Sequence, residues 1–382
     1  MKLILKLISG IVIGVILGLF GFEWMIKSLL TFKDVFGEFI GFMIPLIILF
    51  FIASGVSKLG NDSGKLVGMT VGSAYLSTLL AGILAFFVAT ILMPFVASGG
   101  VIPEESSGLA GYFSFEIEPV MGVITALVFA FLFGIGMAKL QSEYLIRVFD
   151  EGKNIVELVI KKIIIPLLPF YIAGIFAELA SEGTVFDTLQ VFGIVLVVAI
   201  VTHWIWLTIQ YVVAGSLVGR NPISLIKTML PAYFTALGTM SSAATIPVTL
   251  KQTKQNGVKE EVANFSVPLS ATIHLSGSVI TIVSCTVAVM TVLDGYSVPN
   301  FFTMFPVIAM LGVIMIAAPG VPGGAIMAAI GILTSMLGFS EVAVGLMIAL
   351  YMAQDSFGTA ANVTGDGAIA LLVDKFTSKL KS

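Results

Sequence analysis

The sequence predicts an all-α polytopic membrane protein with eight transmembrane helices and two re-entrant helical hairpins. Three observations carry this reading. The 382 residues are 58% hydrophobic and 11% charged, against roughly 25% charged in soluble domains. Apolar runs long enough to span a bilayer, about 20 residues each, recur along the whole chain. Two further apolar segments are interrupted near their middle by residues that do not continue a helix.

The spanning runs fall at residues 3–22, 36–57, 67–97, 119–139, 156–180, 186–217, 263–292 and 343–373. Lys2 and Lys6 stand at the start of the first, as in a signal peptide, but no small-residue cleavage site follows. It is expected to be an uncleaved span. The interrupted segments are 222–250 and 300–338. The first breaks at Thr239-Met240-Ser241-Ser242-Ala243-Ala244-Thr245 and Pro247, the second at Pro319-Gly320-Val321-Pro322-Gly323-Gly324.

Basic residues decide whether these two segments cross. Cytoplasmic loops are enriched in Lys and Arg. If 222–250 enters and returns, Arg220, Lys227, Lys251, Lys254 and Lys259 share one side. Of the 19 lysines and arginines, only Lys27 and Lys33 then lie outside. One crossing at 343–373 brings Lys375, Lys379 and Lys381 inside, provided 300–338 is also re-entrant, from the outside. Both termini are therefore expected in the cytoplasm, with the chain multi-pass in the cytoplasmic (inner) membrane. The loop at 98–112 is an outside connection without a motif.

Composition excludes several classes. Cys285 is the sole cysteine, and His203 and His274 are the only histidines, so neither a disulfide framework nor a Cys- or His-based metal site is available. No basic, aromatic-rich patch suggests nucleic acid. No cofactor is expected, and membrane lipid is an expected partner.

The chemistry sits in the last span. Between Glu341 and Lys375 the only ionisable side chains are Asp355 and Asp366, with Thr359 and Asn362 between them. Steps of four, three and four keep one helix face. A charge at bilayer depth costs about 2.5–3.5 kcal/mol on insertion scales, so this stripe must meet protein, water or a cation. The carboxylates stand about 16 Å apart along the helix at 1.5 Å per residue, too far for an acid–base pair, so an intramembrane enzyme is not expected. Non-helical backbone at membrane depth needs protein or a water-filled cavity. Two facing hairpins imply one near the midplane, the arrangement transporters use for solutes and ions. A channel is the other reading, separable by saturable uptake with exchange.

Asn362-Val363-Thr364-Gly365-Asp366 with Asp355 upstream resembles the eighth-helix signature of the dicarboxylate/amino acid:cation symporters, the glutamate transporter family. Ser241-Ser242-Ala243-Ala244-Thr245-Ile246-Pro247-Val248-Thr249 is similar to that family's first hairpin tip, and Gly320-Val321-Pro322-Gly323 to its second. The resemblance covers 221–373 strongly and 1–220 by span number and length. It implies a homotrimer with an elevator mechanism. Scaffold segments would be 1–66 and 113–181, and transport-domain segments 67–98 and 182–382.

The candidate substrate-binding residues are Ser241, Ser242, Thr245, Val321, Pro322, Gly323, Asp355, Gly358, Thr359 and Asn362. By the resemblance, Asp355 holds the α-amino group, and Thr359 and Asn362 contact the substrate. The candidate ion-binding residues are Thr78, Ser270, His274, Ser276, Asn362 and Asp366, with Asp366 the sodium ligand.

The sequence departs from the pattern in three ways. Gly358 stands where the family carries an arginine that clamps a side-chain carboxylate, and Met240 offers no arginine beside the first tip. A neutral amino acid is therefore expected. The alternatives are an acidic substrate bound in another way, with Gly358 serving helix packing, or an uncoupled exchanger. In the seventh span, His274-Leu275-Ser276-Gly277-Ser278 replaces Asn-Met-Asp-Gly-Thr, so at least one sodium site is expected to be altered. Finally, an imidazole at 274 can carry a proton near neutral pH, so coupling is expected to protons, sodium or both. A neutral histidine making one hydrogen bond is the simpler alternative. Tyr75, Ser77 and Thr78 either add ion ligands or join helices by hydrogen bonds. His203, Trp204 and Trp206 are read as packing on the scaffold.

Overall fold

A computed structural model describes residues 2–59, 65–96, 109–318 and 322–378, and all its regular elements are helices. The chain begins with α1 (Lys2–Phe20), α2 (Glu23–Leu59), α3 (Lys65–Val96) and α4 (Val123–Leu140). Next come α5 (Glu143–Val159), a π turn (Ile160–Ile164), α6 (Ile165–Ser181) and α7 (Val185–Val218). Two helix pairs follow, α8 (Pro222–Thr239) with α9 (Ser242–Gln255) and α10 (Glu260–Ile273) with α11 (Ser276–Val292). The chain closes with α12 (Phe301–Met315), α13 (Gly324–Leu337) and α14 (Glu341–Ser378).

Among the described residues, seven helical segments are long and apolar enough to cross a membrane. The chain is a multi-pass membrane protein. Val128, Leu132 and Ile135 of α4 stand exposed, an apolar face suited to lipid rather than water. Burial ranks the segments: 28% of the apolar window in α4 is buried, against 89% in α10–α11 and 83% in α14. The last three elements form the centre.

One helix group is α1, α2 and α4–α6, in which α1 packs on α6 and α2 on α4, α5 and α6. Gly10, Gly14 and Gly18 line one face of α1, and a Cβ on any of them would strike the carbonyl of Pro169, Ala173 or Ala177 in α6. Lipid gives no hydrophobic push between helices, so small residues that admit close backbones hold such pairs together. The other group surrounds α14, which packs on α3, α7, α8, α9, α10 and α11.

Local signals explain the helix pairs. Asn221 caps α8 by accepting Ile223 N–H at 2.9 Å, ahead of Pro222 at the first position. Met240 turns the chain with φ 54°, a left-handed backbone uncommon for a side chain with a Cβ. Ser241 then caps α9 by accepting Ala244 N–H at 3.3 Å. Asn300 caps α12 through Thr303 N–H at 3.1 Å. Both interruptions read from sequence separate two short helices. Val321 lies outside the described residues, as does 97–108 of the expected outer loop.

Three boundaries differ from the sequence reading. Helix α2 starts at Glu23 rather than at 36, because its charges are paired: Lys27 with Glu23 at 2.7 Å, and Lys33 with Glu178 at 2.7 Å. Lys27 and Lys33 are therefore helical, not loop, residues. The 156–180 run is the second half of a rod that begins at Glu143. The 263–292 run is two helices, broken at His274 and Leu275, whose ψ values of 89° and 45° leave the helical region.

Candidate functional site

The break at His274–Leu275 ends α10 and starts α11 within the protein, so backbone groups on both sides lose intrahelical partners. Asn362 of α14 supplies partners for α11. Its Oδ1 accepts Gly277 N–H at 2.7 Å and Ser278 N–H at 3.2 Å, and its Nδ2 donates to Ser278 Oγ at 3.0 Å. This needs α11 and α14 very close together. A Cβ at Gly277 would collide with the Gly358 carbonyl.

A cavity of about 390 Å³ opens beside the break, toward the small end of the roughly 300–1,000 Å³ typical of ligand sites. Ser241 and Ser242 reach it from the α8–α9 turn, Ser278 from α11, and Tyr351, Asp355, Thr359 and Asn362 from α14. Asp355 is the only carboxylate among its described lining residues. Its Oδ1 accepts Tyr351 O–H at 2.9 Å, and its Oδ2 accepts Gly323 N–H at 2.8 Å. The α12–α13 connection is thus tied to the carboxylate. Gly323 has φ 75°, and a Cβ there would stand 2.5 Å from Met352 Sδ, so only glycine brings this N–H so near.

Deeper along α14, Asp366 is fully buried. Its Oδ1 meets His274 Nδ1 at 2.9 Å. His274 Nε2 lies 2.8 Å from Ser77 Oγ, which accepts from Gln210 Nε2 at 2.7 Å. Ser77 can give its own proton to Nε2 while it accepts from Gln210, and His274 can then donate through Nδ1–H to Asp366. Gly365 makes room for it, since a Cβ there would lie 2.8 Å from His274 Cε1.

Asp366 Oδ2 has no hydrogen-bond partner among the described residues. Neither do Thr78 Oγ1, Ser270 Oγ or Ser276 Oγ, all buried. Leaving a buried polar atom unmade costs about 1–3 kcal/mol. Four such oxygens, on the helices that meet around His274, have the donor chemistry of a hard cation. They fit sodium.

The sequence-predicted residues sort as follows. Ser241, Ser242, Asp355, Thr359 and Asn362 line the cavity. Gly323 reaches Asp355 by its backbone, with half-buried Pro322 beside it. Thr245 instead donates to the Ser241 carbonyl at 2.8 Å, within the turn. Gly358 faces α11, where a Cβ would meet Thr281 Oγ1 at 3.3 Å and Gly277 C and O at 3.4 Å. It serves helix packing and does not line the cavity. Asn362 spends its oxygen on α11. His203 faces α11. Its Nε2 sits 2.9 Å from Gly277 O, and Trp204 packs on Tyr233 of α8 at 5.0 Å. Tyr75 donates to Ala309 O at 3.3 Å, joining α3 to α12.

Sequence reasoning missed Gln210, Tyr351 and Lys153. Tyr351 stands four residues before Asp355, one turn up the same face, a signal present in the sequence. Gln210 is a lone amide in a long apolar run, which was also visible.

The sequence profile of the Sodium:dicarboxylate symporter family matches residues 3–376. The serine/threonine transporter SstT of Streptococcus thermophilus (strain CNRZ 1066) is 26% identical over 98% of this chain and 96% of its own length. SstT of Acinetobacter baumannii (strain AYE) is 27% identical over 97% and 96%. SstT of Streptococcus agalactiae serotype Ia is 27% identical over 98% and 96%.

Proposed function

This chain belongs to the sodium:dicarboxylate symporter family, a transporter rather than an enzyme, and on that premise we propose that it carries a small neutral amino acid of the serine/threonine type into the cell with a cation. The observation that carries this reading is the cavity itself. It presents one carboxylate, Asp355, to an ammonium, hydroxyls and an amide to the rest of the solute, and a single basic side chain, Lys153, on the opposite wall. No arginine is among its described lining residues, so a side-chain carboxylate would lack a guanidinium partner. The names of the relatives support the same class. Gly358 supports it less directly, since it is turned toward α11.

Asp355 receives the substrate ammonium, and the N–H groups at the start of α9 and near Gly323 suit its carboxylate. Thr245 and Pro322 hold the two turns in shape, and Val321 completes the second. Asp366, Thr78, Ser270 and Ser276 would hold sodium, which supplies positive charge for the buried carboxylate. His274 fills the space between α3 and α14 and presents a ring N–H to Asp366. This favours a second reading, in which a proton on His274 replaces one of the family's cations.

Movement follows the elevator scheme. The two helix groups support a scaffold at 1–66 and 113–181, in a homotrimer, and a transport domain at 67–98 and 182–382. The α8–α9 and α12–α13 pairs are the re-entrant hairpins, among eight spans, and both termini are cytoplasmic in the inner membrane.

The test is uptake of radiolabelled L-serine into proteoliposomes under an imposed sodium or pH gradient. Sodium-driven accumulation, with exchange against internal serine and no competition by aspartate, supports the reading. A pH-driven component lost in His274→Gln assigns the proton to that ring. Flux that neither saturates nor exchanges would make the protein a channel.

A further inference from the structure

The cavity has a wall that belongs to neither hairpin nor α14. Phe51 and Gly55 of α2 and Lys153 of α5 face the same space as Asp355. Lys153 and Asp355 are the only acidic or basic side chains among the described lining residues. They come from different helix groups, one on each wall. Lys153 Nζ stands 5.3 Å from the centroid of the buried Phe51 ring, within cation–π range. One turn earlier, Asp150 Oδ1 accepts Ser54 O–H at 2.6 Å, locking α5 to α2 at this level.

A free amino acid carries an ammonium and a carboxylate, and the cavity offers one opposite charge for each. Asp355 travels with the transport group. Lys153 stays with the other, so it meets the solute only when the cavity lies against α2 and α5, as it does here. Gly55 shows how near that approach is: a Cβ on it would lie 2.9 Å from Ala317 Cβ, in the arm leading to the second turn.

We propose that Lys153 is a substrate-contacting residue of the fixed wall, receiving the amino acid's carboxylate as the zwitterion passes through this face of the membrane. It sets apparent affinity on that face alone, the cytoplasmic one by the distribution of basic residues. The inference rests on the amino acid reading of the cavity.

The experiment uses the full-length protein in proteoliposomes of uniform orientation, with L-serine titrated on each face in turn. Lys153→Gln is expected to raise KM on the Lys153 face about tenfold and to leave the opposite face unchanged. Lys153→Arg restores it, because a guanidinium also donates to a carboxylate. Raising ionic strength on that face moves wild-type KM toward the variant's, since exposed charge attraction is screened. Equal shifts on both faces, or none, overturn the proposal, and matched thermal unfolding of wild type and variants excludes a folding defect. Should wild type concentrate no amino acid, the proposed function falls and this inference with it. Should wild type concentrate serine while Lys153→Gln shows no difference between faces, only this inference falls.

Discussion

The Gly323 amide donates to Asp355 Oδ2 at 2.8 Å, so the connection between α12 and α13 is fastened to the carboxylate that faces the cavity. On the proposed reading, a substrate ammonium at Asp355 would meet the group that also fastens that connection.

Neutralising that carboxylate removes the ammonium's partner. Removing one member of a buried charge pair costs about 2–5 kcal/mol. Asp355→Asn is expected to weaken amino acid binding by roughly 30-fold or more, at 1.4 kcal/mol per tenfold. Isothermal titration with L-serine checks it, and an unchanged Kd would mean that the ammonium is held elsewhere.

Asn362 holds the start of α11 by two N–H groups. Asn362→Ala leaves Gly277 N–H and Ser278 N–H without their acceptor, at about 1–3 kcal/mol for each buried group. Both the thermal midpoint and L-serine affinity are expected to fall. A loss of affinity at constant midpoint would show that Asn362 acts on the substrate and not through α11.

The α1–α6 seam depends on absent side chains. Gly14→Leu forces a side chain into the Ala173 backbone, and overpacking costs about 1–3 kcal/mol. The midpoint in detergent is expected to drop by several degrees. Gly41→Ala, which meets nothing within 4 Å, is the matched control and should not move it.

The hairpin reading predicts sidedness. Single cysteines at Lys227 and Lys254, in a Cys285→Ser background, should label from the same side of the membrane, because α8 and α9 enter and return. Labelling from opposite sides would make this pair a crossing.

Much of this arrangement was legible because special residues mark it. Pro, Gly and Ser clusters announced the α8–α9 and α12–α13 pairs, and the four-three-four spacing aligned Asp355, Thr359, Asn362 and Asp366. The break at His274–Leu275 was not legible. It has no glycine or proline of its own, and it is held open by Asn362 from a helix more than eighty residues away. Charge misled at the start of α2, where Lys33 looked like a loop residue until α6 supplied Glu178. The family resemblance placed Gly358 near the substrate, but only the structure gives the direction of its missing side chain. Lys153 read as one of several cytoplasmic lysines, since nothing local shows that α5 brings it against the cavity.

The central claim is that solute and cation neutralise Asp355 and Asp366 together, which makes their binding mutually dependent. It is tested most directly by the Kd of purified protein for L-serine with and without sodium, in wild type and Asp366→Asn. The account predicts tenfold or greater tightening by sodium in wild type and none in the variant. Equal affinity with and without sodium in wild type, or full tightening in Asp366→Asn, would contradict it.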